Sequence, residues 1–270
     1  MMFSILIAHY NNYDYFRACY ASILKQSYQD FEVIILDDCS TDGSFEKIKT
    51  EVMNNPKVKL FQNEENKGVG FTKKKCVTLA TGEICGFVDP DDAITPNALE
   101  ICTEKYHNPE TIATYSQINI CDESLRPQKI FENTRHIKSG NPLFFNIRFE
   151  ISHFFTFRKE AYKKIRGINP ELNVAEDMDL YLQLYDIGKI DYISSPLYFY
   201  RVHKKGLSHD PQKENIKKQN WHQVLLETLK RRNISLLYGE KIETIDHLPE
   251  FINRKQNTLV SKIIRKLFRK

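Results

Sequence analysis

Two periodicities alternate along the first 125 residues. Ser4–Ala8 is a short apolar run with a polar exit at His9-Tyr10-Asn11, the pattern of a buried strand. Tyr15–Gln26 then sets Phe16, Cys19, Tyr20, Ile23 and Leu24 at helical spacing. Phe31–Leu36 predicts a second strand, ending in Asp37-Asp38, and Asp42 predicts the N-cap of a helix reaching about Asn54. A third strand follows at Val58–Gln62, then a helix over Val69–Ala80 that Thr81-Gly82 stops. Glu83–Val88 predicts a fourth strand, leaving into Asp89-Pro90-Asp91-Asp92, and Pro96 starts a helix extending to about Tyr106.

This alternation implies an α/β fold with a mainly parallel sheet flanked by helices on both faces. In such sheets ligands bind outside the carboxyl ends of the strands. Three strand exits carry polar or acidic clusters, at His9-Tyr10-Asn11, Asp37-Asp38 and Asp89–Asp92, and the topology should bring them to one edge. The second half is less regular. Strands are expected at Thr111–Cys121, Ser152–Phe157 and Lys189–Tyr200, the last interrupted by Ser194-Ser195-Pro196, with helices at Ala175–Ile187 and Glu214–Arg232. The expected organisation is one domain over 1–210, with a ligand-binding half at 1–110 and an acceptor half at 111–210. A helical extension over 211–270 follows.

Composition narrows the classes. Apolar residues make up 41% of the 270-residue chain, enough for a large core. No run of eighteen apolar residues is present, and the N-terminal Met1–Leu6 reads as a first strand rather than a signal peptide. The six cysteines lack metal-site spacing, which favours a reduced, cytoplasmic protein. The formal charge of +4 belongs to the C-terminus. Residues 251–270 hold seven Lys/Arg and no acid, leaving 32 basic against 35 acidic residues in the first 250. The main domain therefore offers no nucleic-acid footprint.

The acidic strand exits carry the candidate chemistry. A proline cannot continue a central strand, so Asp89-Pro90-Asp91-Asp92 is an exit, either a solvated turn or a crowded set of carboxylates around a cation. Mg²⁺ or Mn²⁺ is held by one or two carboxylates together with substrate phosphates. Asp38 can accept from the N–H of a nucleotide base or cap the following helix, and Tyr10 can stack on a base or pack. Lys73-Lys74-Lys75, at the start of the helix after Asn66-Lys67-Gly68, suits a diphosphate or forms a solvated basic face. Glu176-Asp177 is either a pair of acids favourable at a helix N-terminus or a source of a general base.

Taken in order, Ser4–Asn12, Asp37–Ser44, Asn66-Lys67-Gly68, Asp89–Asp92, Ala175–Leu180 and Tyr200-Arg201-Val202-His203 with Ser208 resemble the family 2 glycosyltransferases of Rossmann-like GT-A fold. The resemblance spans residues 3–208. It implies an inverting transferase using a nucleotide-diphosphate-sugar donor, with uracil the first expectation for the base and guanine or thymine open. Ala8, Tyr10, Asp38, Asn66, Lys73 and Asp89 would bind the donor. Asp91, Asp92 and His203 would hold Mn²⁺ or Mg²⁺. Asp177 would be the catalytic base, with Glu176 contacting the acceptor or orienting the base. The chain departs from the family where Lys73-Lys74 replaces the usual Arg-Asn, losing the bidentate fork, and where Cys76 replaces a glycine.

The implied acceptor is a glycan or a lipid-linked glycan in bacterial surface polysaccharide or lipopolysaccharide synthesis. Its selection is expected in residues 120–175, where Phe144-Phe145 and His153-Phe154-Phe155 form an aromatic wall or core. A non-catalytic nucleotide- or glycan-binding descendant is the alternative. A sugar-phosphate nucleotidyltransferase is disfavoured, because no glycine-rich loop follows the first strand. Within residues 256–270, Leu259, Val260, Ile263, Ile264, Leu267 and Phe268 oppose Lys262, Arg265, Lys266, Arg269 and Lys270 around a helix. This basic amphipathic segment suits either an anionic surface on the inner face of the cell membrane or a docking partner.

Overall fold

The computed structural model describes residues 1–203, 206 and 214–258. The first half alternates β1 (Phe3–His9), α1 (Tyr13–Leu24), β2 (Phe31–Asp37), α2 (Ser44–Val52), β3 (Val58–Gln62), α3 (Val69–Leu79) and β4 (Ile84–Phe87). It continues through β5 (Ala93–Ile94), α4 (Ala98–Lys105), β6 (Thr111–Cys121), β7 (Pro127–Ile130), β8 (Thr156–Arg158), α5 (Lys159–Tyr162), α6 (Glu176–Tyr185) and β9 (Lys189–Arg201). The C-terminal part contains α7 (Glu214–Arg231), the short hairpin β10 (Leu236–Leu237) and β11 (Glu240–Lys241), and α8 (Leu248–Gln256).

The main sheet runs β3-β2-β1-β4-β8-β6-β9-β5, with β7 paired to β6. β3, β2, β1 and β4 are parallel neighbours, as are β6 and β9. β8 is antiparallel to both β4 and β6, and so joins the two parallel groups. The mainly parallel sheet expected from the alternation is therefore present.

Side-chain alternation explains the two faces. Phe3, Ile5, Ile7, Val33 and Ile35 point to the layer formed by α1, α2 and α4, where Phe16, Ile23, Ile48 and Leu99 are buried. Leu6, Ile34 and Leu36 point the other way, against Cys76 and Val77 of α3 and Met178, Leu180 and Leu184 of α6. Cys76, which replaces the family's glycine, is therefore a core residue. A third cluster joins Val224, Leu225 and Leu229 of α7 to Phe251 and Ile252 of α8, with Leu182 of α6 and Phe145 closing it.

The sheet's amino-terminal edge carries one buried acid. Glu32 Oε1 accepts from Ser4 Oγ at 2.6 Å and from the Thr81 amide at 2.5 Å, while Lys59 Nζ donates to Oε2 at 2.7 Å. Burial alone would raise this carboxyl; the Lys59, Ser4 and Thr81 hydrogen bonds outweigh it and bring it down to about 2. The stop at Thr81-Gly82 is thus a hydrogen-bonded junction between α3 and the sheet.

Several local expectations are corrected. The N-cap of α2 is Gly43, at φ 81°, and Asp42 acts one residue earlier by accepting from the Ser44 amide at 2.9 Å. The strand expected at Ser152–Phe157 is confined to Thr156–Arg158, because Phe154 and its neighbours bond to side chains, as in Phe154 N–H to Ser116 Oγ at 3.0 Å. β9 continues through Ser194-Ser195-Pro196 as a bulge: Ile193 faces Ser116, and Pro196 already faces Gln117. The tail helix expected within 256–270 falls on residues 259–270, which lie outside the described residues, as does Ser208. Among the described residues, no helix is long and apolar enough to cross a membrane.

Candidate active site

The exits of β1, β2, β4 and β9 and the N-termini of α3 and α6 meet at one edge of the sheet. At the β1 exit, Ala8 is half-buried and Tyr10 is exposed. Asn11, at φ 48°, closes this turn onto the next one, accepting from the Thr41 amide at 2.8 Å. Asp37 anchors the β2 exit. It accepts from His9 Nδ1 at 2.9 Å, Ser40 Oγ at 2.5 Å and Gln62 Nε2 at 3.1 Å. Burial opposes its ionisation, but these bonds from His9, Ser40 and Gln62 hold it below the usual carboxylate value.

Asp38, beside it, organises the following loop. Its Oδ1 accepts from Asn63 Nδ2 at 2.8 Å and the Lys67 amide at 2.9 Å, and its Oδ2 accepts from the Gly68 amide at 2.8 Å. Asn66 is exposed and makes an Asx turn, accepting from Gly68 N–H at 3.2 Å. Gly68 sits at φ 85°, and a Cβ on Gly70 would fall on the carbonyls of Leu172 and Asn169. The glycines therefore let the start of α3 press against the loop that leads into α6.

That approach places Lys73, which is 6% exposed, between the acids of the β4 exit and those at the start of α6. Its Nζ donates to Glu176 Oε1 at 2.8 Å and lies 3.3 Å from Asp89 Oδ1, over the ring of Phe87. Burial disfavours the ammonium, but Asp89, Glu176 and Asp177 outweigh it and hold Lys73 well above the ordinary lysine value. Asp89 is held low in return, against its own burial, by Lys73 and then by His153, whose Nε2 is 3.9 Å away. Ala175 enters α6 at φ 68°, so that Glu176 and Asp177 occupy the first turn. Asp177 Oδ1 accepts from the Met178 amide at 2.7 Å. Asp177 lines a small cleft with Lys73, Phe87, His153, Phe155 and Tyr181.

The β4 exit divides its acids. Asp91 Oδ2 lies 2.8 Å from His203 Nε2, while the buried Asp92 accepts at Oδ1 from the Arg201 amide at 2.7 Å and bonds the Tyr198 hydroxyl. Burial, with Asp91 and Asp89 nearby, pushes Asp92 well above the usual carboxylate value. Asp92 is thus bonded into the turn, whereas Asp91 faces His203. Arg201, unassigned from the sequence, ties that turn together. Its Nε donates to the Asp91 carbonyl at 2.5 Å, Nη1 donates to the Glu123 carbonyl, and its guanidinium stacks 4.5 Å from the Tyr15 ring. The run Tyr200-Arg201-Val202-His203 was the available signal, but the partners of Arg201 lie 78 and 110 residues away in sequence.

Among the described residues, no group of three or more His, Cys, Asp or Glu forms a metal cage. Mn²⁺ or Mg²⁺ is held by one or two carboxylates completed by phosphate oxygens, and Asp91, 2.8 Å from His203 Nε2, offers such a carboxylate at the β4 exit.

One edge of the sheet thus gathers a carboxylate–histidine pair, a buried cation and acids at a helix N-terminus. The glycosyl transferase family 2 profile matches residues 4–166, and the chain belongs to that family. It is 30% identical over 237 residues to chondroitin synthase of Escherichia coli, covering 86% of this chain and 33% of that protein. It is 27% identical over 253 residues to hyaluronan synthase of Pasteurella multocida, covering 93% and 25%. The chain thus spans about a quarter to a third of these relatives. Among solved structures it resembles S. aureus TarS 1-349 in complex with UDP-GlcNAc, with TM-score 0.71, 20% identity, and 94% and 70% of the two chains covered. It also resembles a mannosyltransferase of Pyrobaculum calidifontis in complex with GDP-Man and Mn²⁺, with TM-score 0.61, 16% identity, and 98% and 78% covered.

Lys73→Met leaves Asp89 and Glu176 without their buried cation. Urea denaturation at pH 7 should show a loss of about 3 kcal/mol, the scale for breaking a buried pair. The deficit should shrink as pH falls toward 5, because protonated carboxyls no longer need the ammonium. An unchanged urea midpoint at pH 7 would show that Lys73 does not compensate these acids.

Proposed function

We propose that this domain transfers a sugar from a nucleotide-diphosphate sugar, with UDP as the carrier, to a glycan or lipid-linked glycan with inversion at the anomeric carbon. The assigned setting is bacterial surface polysaccharide or lipopolysaccharide synthesis. The observation that carries this reading is Lys73, which bridges Asp89 on the donor side to Glu176, the neighbour of Asp177, across one cleft. The UDP and UDP-GlcNAc complexes of TarS and the polysaccharide-synthase names of the relatives support the substrate class.

Each residue then has a task. Ala8 and Tyr10 face the base and ribose, Asp38 holds the Asn66–Gly68 loop against the nucleotide and meets the base edge, and Asp89 lies beside the nucleoside. Asp91 and His203 hold the divalent ion, which when bound neutralises charge on the diphosphate. Lys73 adds a buried positive charge near the leaving group. Asp177 takes the proton from the acceptor hydroxyl. As the new bond forms at the anomeric carbon, the bond to the diphosphate oxygen breaks on the opposite face. Glu176, bound to Lys73, keeps the helix start and its neighbouring base in place. The basic segment 256–270 brings the enzyme to an anionic membrane surface, an association that its deletion should abolish in liposome sedimentation.

Asp177→Asn tests the catalytic assignment. Sugar transfer should fall by at least about 10²-fold, the lower scale for losing a general base, while nucleotide affinity stays within about twofold. Transfer at the wild-type rate would remove Asp177 from the mechanism.

A further inference from the structure

The aromatic residues between 141 and 155 do not share one fate. Phe145, Phe154 and Phe155 are buried in the core, whereas Phe149 is 43% exposed. Its backbone sits at φ 59°, a conformation that costs a bulky residue energy and that persists where the surroundings impose it. They do so here through Asn146, which is 1% exposed. The Asn146 amide group donates to the Ile151 carbonyl at 3.0 Å and accepts from the Ile151 amide at 2.8 Å, closing the loop. The Phe149 amide donates to the Asn146 carbonyl at 2.9 Å, and Asn146 Nδ2 also contacts Met178 Sδ at 3.3 Å. The loop is therefore fastened to α6 at the residue following Asp177.

The ring of Phe149 lies 5.5 Å from that of Trp221 on α7. Next to Trp221, Asn220 Nδ2 donates to the Val174 carbonyl at 3.2 Å, so α7 grips the segment entering Glu176-Asp177. Val174 is three residues from Asp177, at most about 11 Å along the chain. In the other direction, Phe149 is four residues from His153, which faces Asp89. An exposed ring, backed by the partly buried Trp221, thus stands on a loop tied both to α6 just after Asp177 and, through α7, to the segment that enters it.

From this we propose that Phe149, backed by Trp221, forms an acceptor subsite that stacks on the apolar face of a glycan ring beyond the one that carries the reacting hydroxyl. The subsite deepens the transferase reading and rests on it. An exposed aromatic face gains from covering C–H groups of a pyranose while the sugar hydroxyls stay in water. Its loop is tied to α6 at Met178 and not to the turns of Ala8 and Tyr10, which assigns it to the acceptor and not to the donor nucleotide.

Trp221 is the sole tryptophan, so its fluorescence reports directly on the subsite. The full chain is titrated with unsulfated chondroitin, hyaluronan, chitin and cellulose hexasaccharides, and separately with UDP. At least one saccharide should shift Trp221 emission saturably. Its affinity should fall about 5- to 10-fold in Phe149→Ala, the scale of one aromatic contact, and be retained in Phe149→Tyr, with UDP affinity equal in all three proteins. The subsite is overturned if no hexasaccharide perturbs Trp221, or if a saccharide binds wild type and Phe149→Ala equally. It is also overturned if UDP affinity falls in parallel, since Phe149 would then be structural. Failure of wild type to bind any nucleotide, with saccharide binding intact, would instead defeat the donor reading.

Discussion

A buried ammonium among carboxylates is the constraint on which the rest of the site depends. Asp89, Glu176 and Asp177 converge at the end of the sheet, and acids so placed repel one another unless a cation stands between them. Lys73 is that cation, at 2.8 Å from Glu176 and 3.3 Å from Asp89. The chain brings it there by backbone means. Gly68 supplies a left-handed turn, Gly70 removes the Cβ that would strike the Leu172 and Asn169 carbonyls, and Ala175 turns into α6 at positive φ. The two segments Asn66–Gly70 and Asn169–Asp177 are complementary parts of one joint between the halves of the domain.

Arg201 does comparable work at the other side of the β4 exit. It bonds the Asp91 carbonyl with its guanidinium and the Asp92 carboxylate with its amide, and rests on Tyr15. Asp92 is bonded inside the turn, while Asp91 faces His203. Three acids within four residues thus take three functions, set by what each side chain touches: Asp89 faces Lys73, Asp91 faces His203, and Asp92 faces Arg201.

The α/β alternation and the convergence of strand exits were legible because they follow from period. β1, β2, β3, β4 and β6 and helices α1, α3 and α7 fall within a few residues of where their apolar patterns put them. β5, with two residues, and β7, with four exposed residues, carry no period to read and form only because β9 and β6 offer them partners. The Lys73–Glu176 bond closes 103 residues of chain, and no local pattern encodes such a contact. The described motif residues come together at one edge of the sheet, but Asp91 and Asp92 look alike until burial separates them. The same holds for Phe145 and Phe149: equivalent side chains four positions apart, one sealed under α7 and α8 and the other held out beside Trp221.

The central claim is that this edge is a donor site in which Asp91 joins a divalent ion to a nucleoside diphosphate. Calorimetric titration of UDP, GDP and TDP into wild type and Asp91→Asn, each with and without Mn²⁺, tests it most directly. UDP is expected to bind wild type in a Mn²⁺-dependent way, and Asp91→Asn, still folded, to lose this dependence and most of the affinity. Absence of nucleotide binding by folded wild type, or binding indifferent to both Mn²⁺ and Asp91, would contradict it.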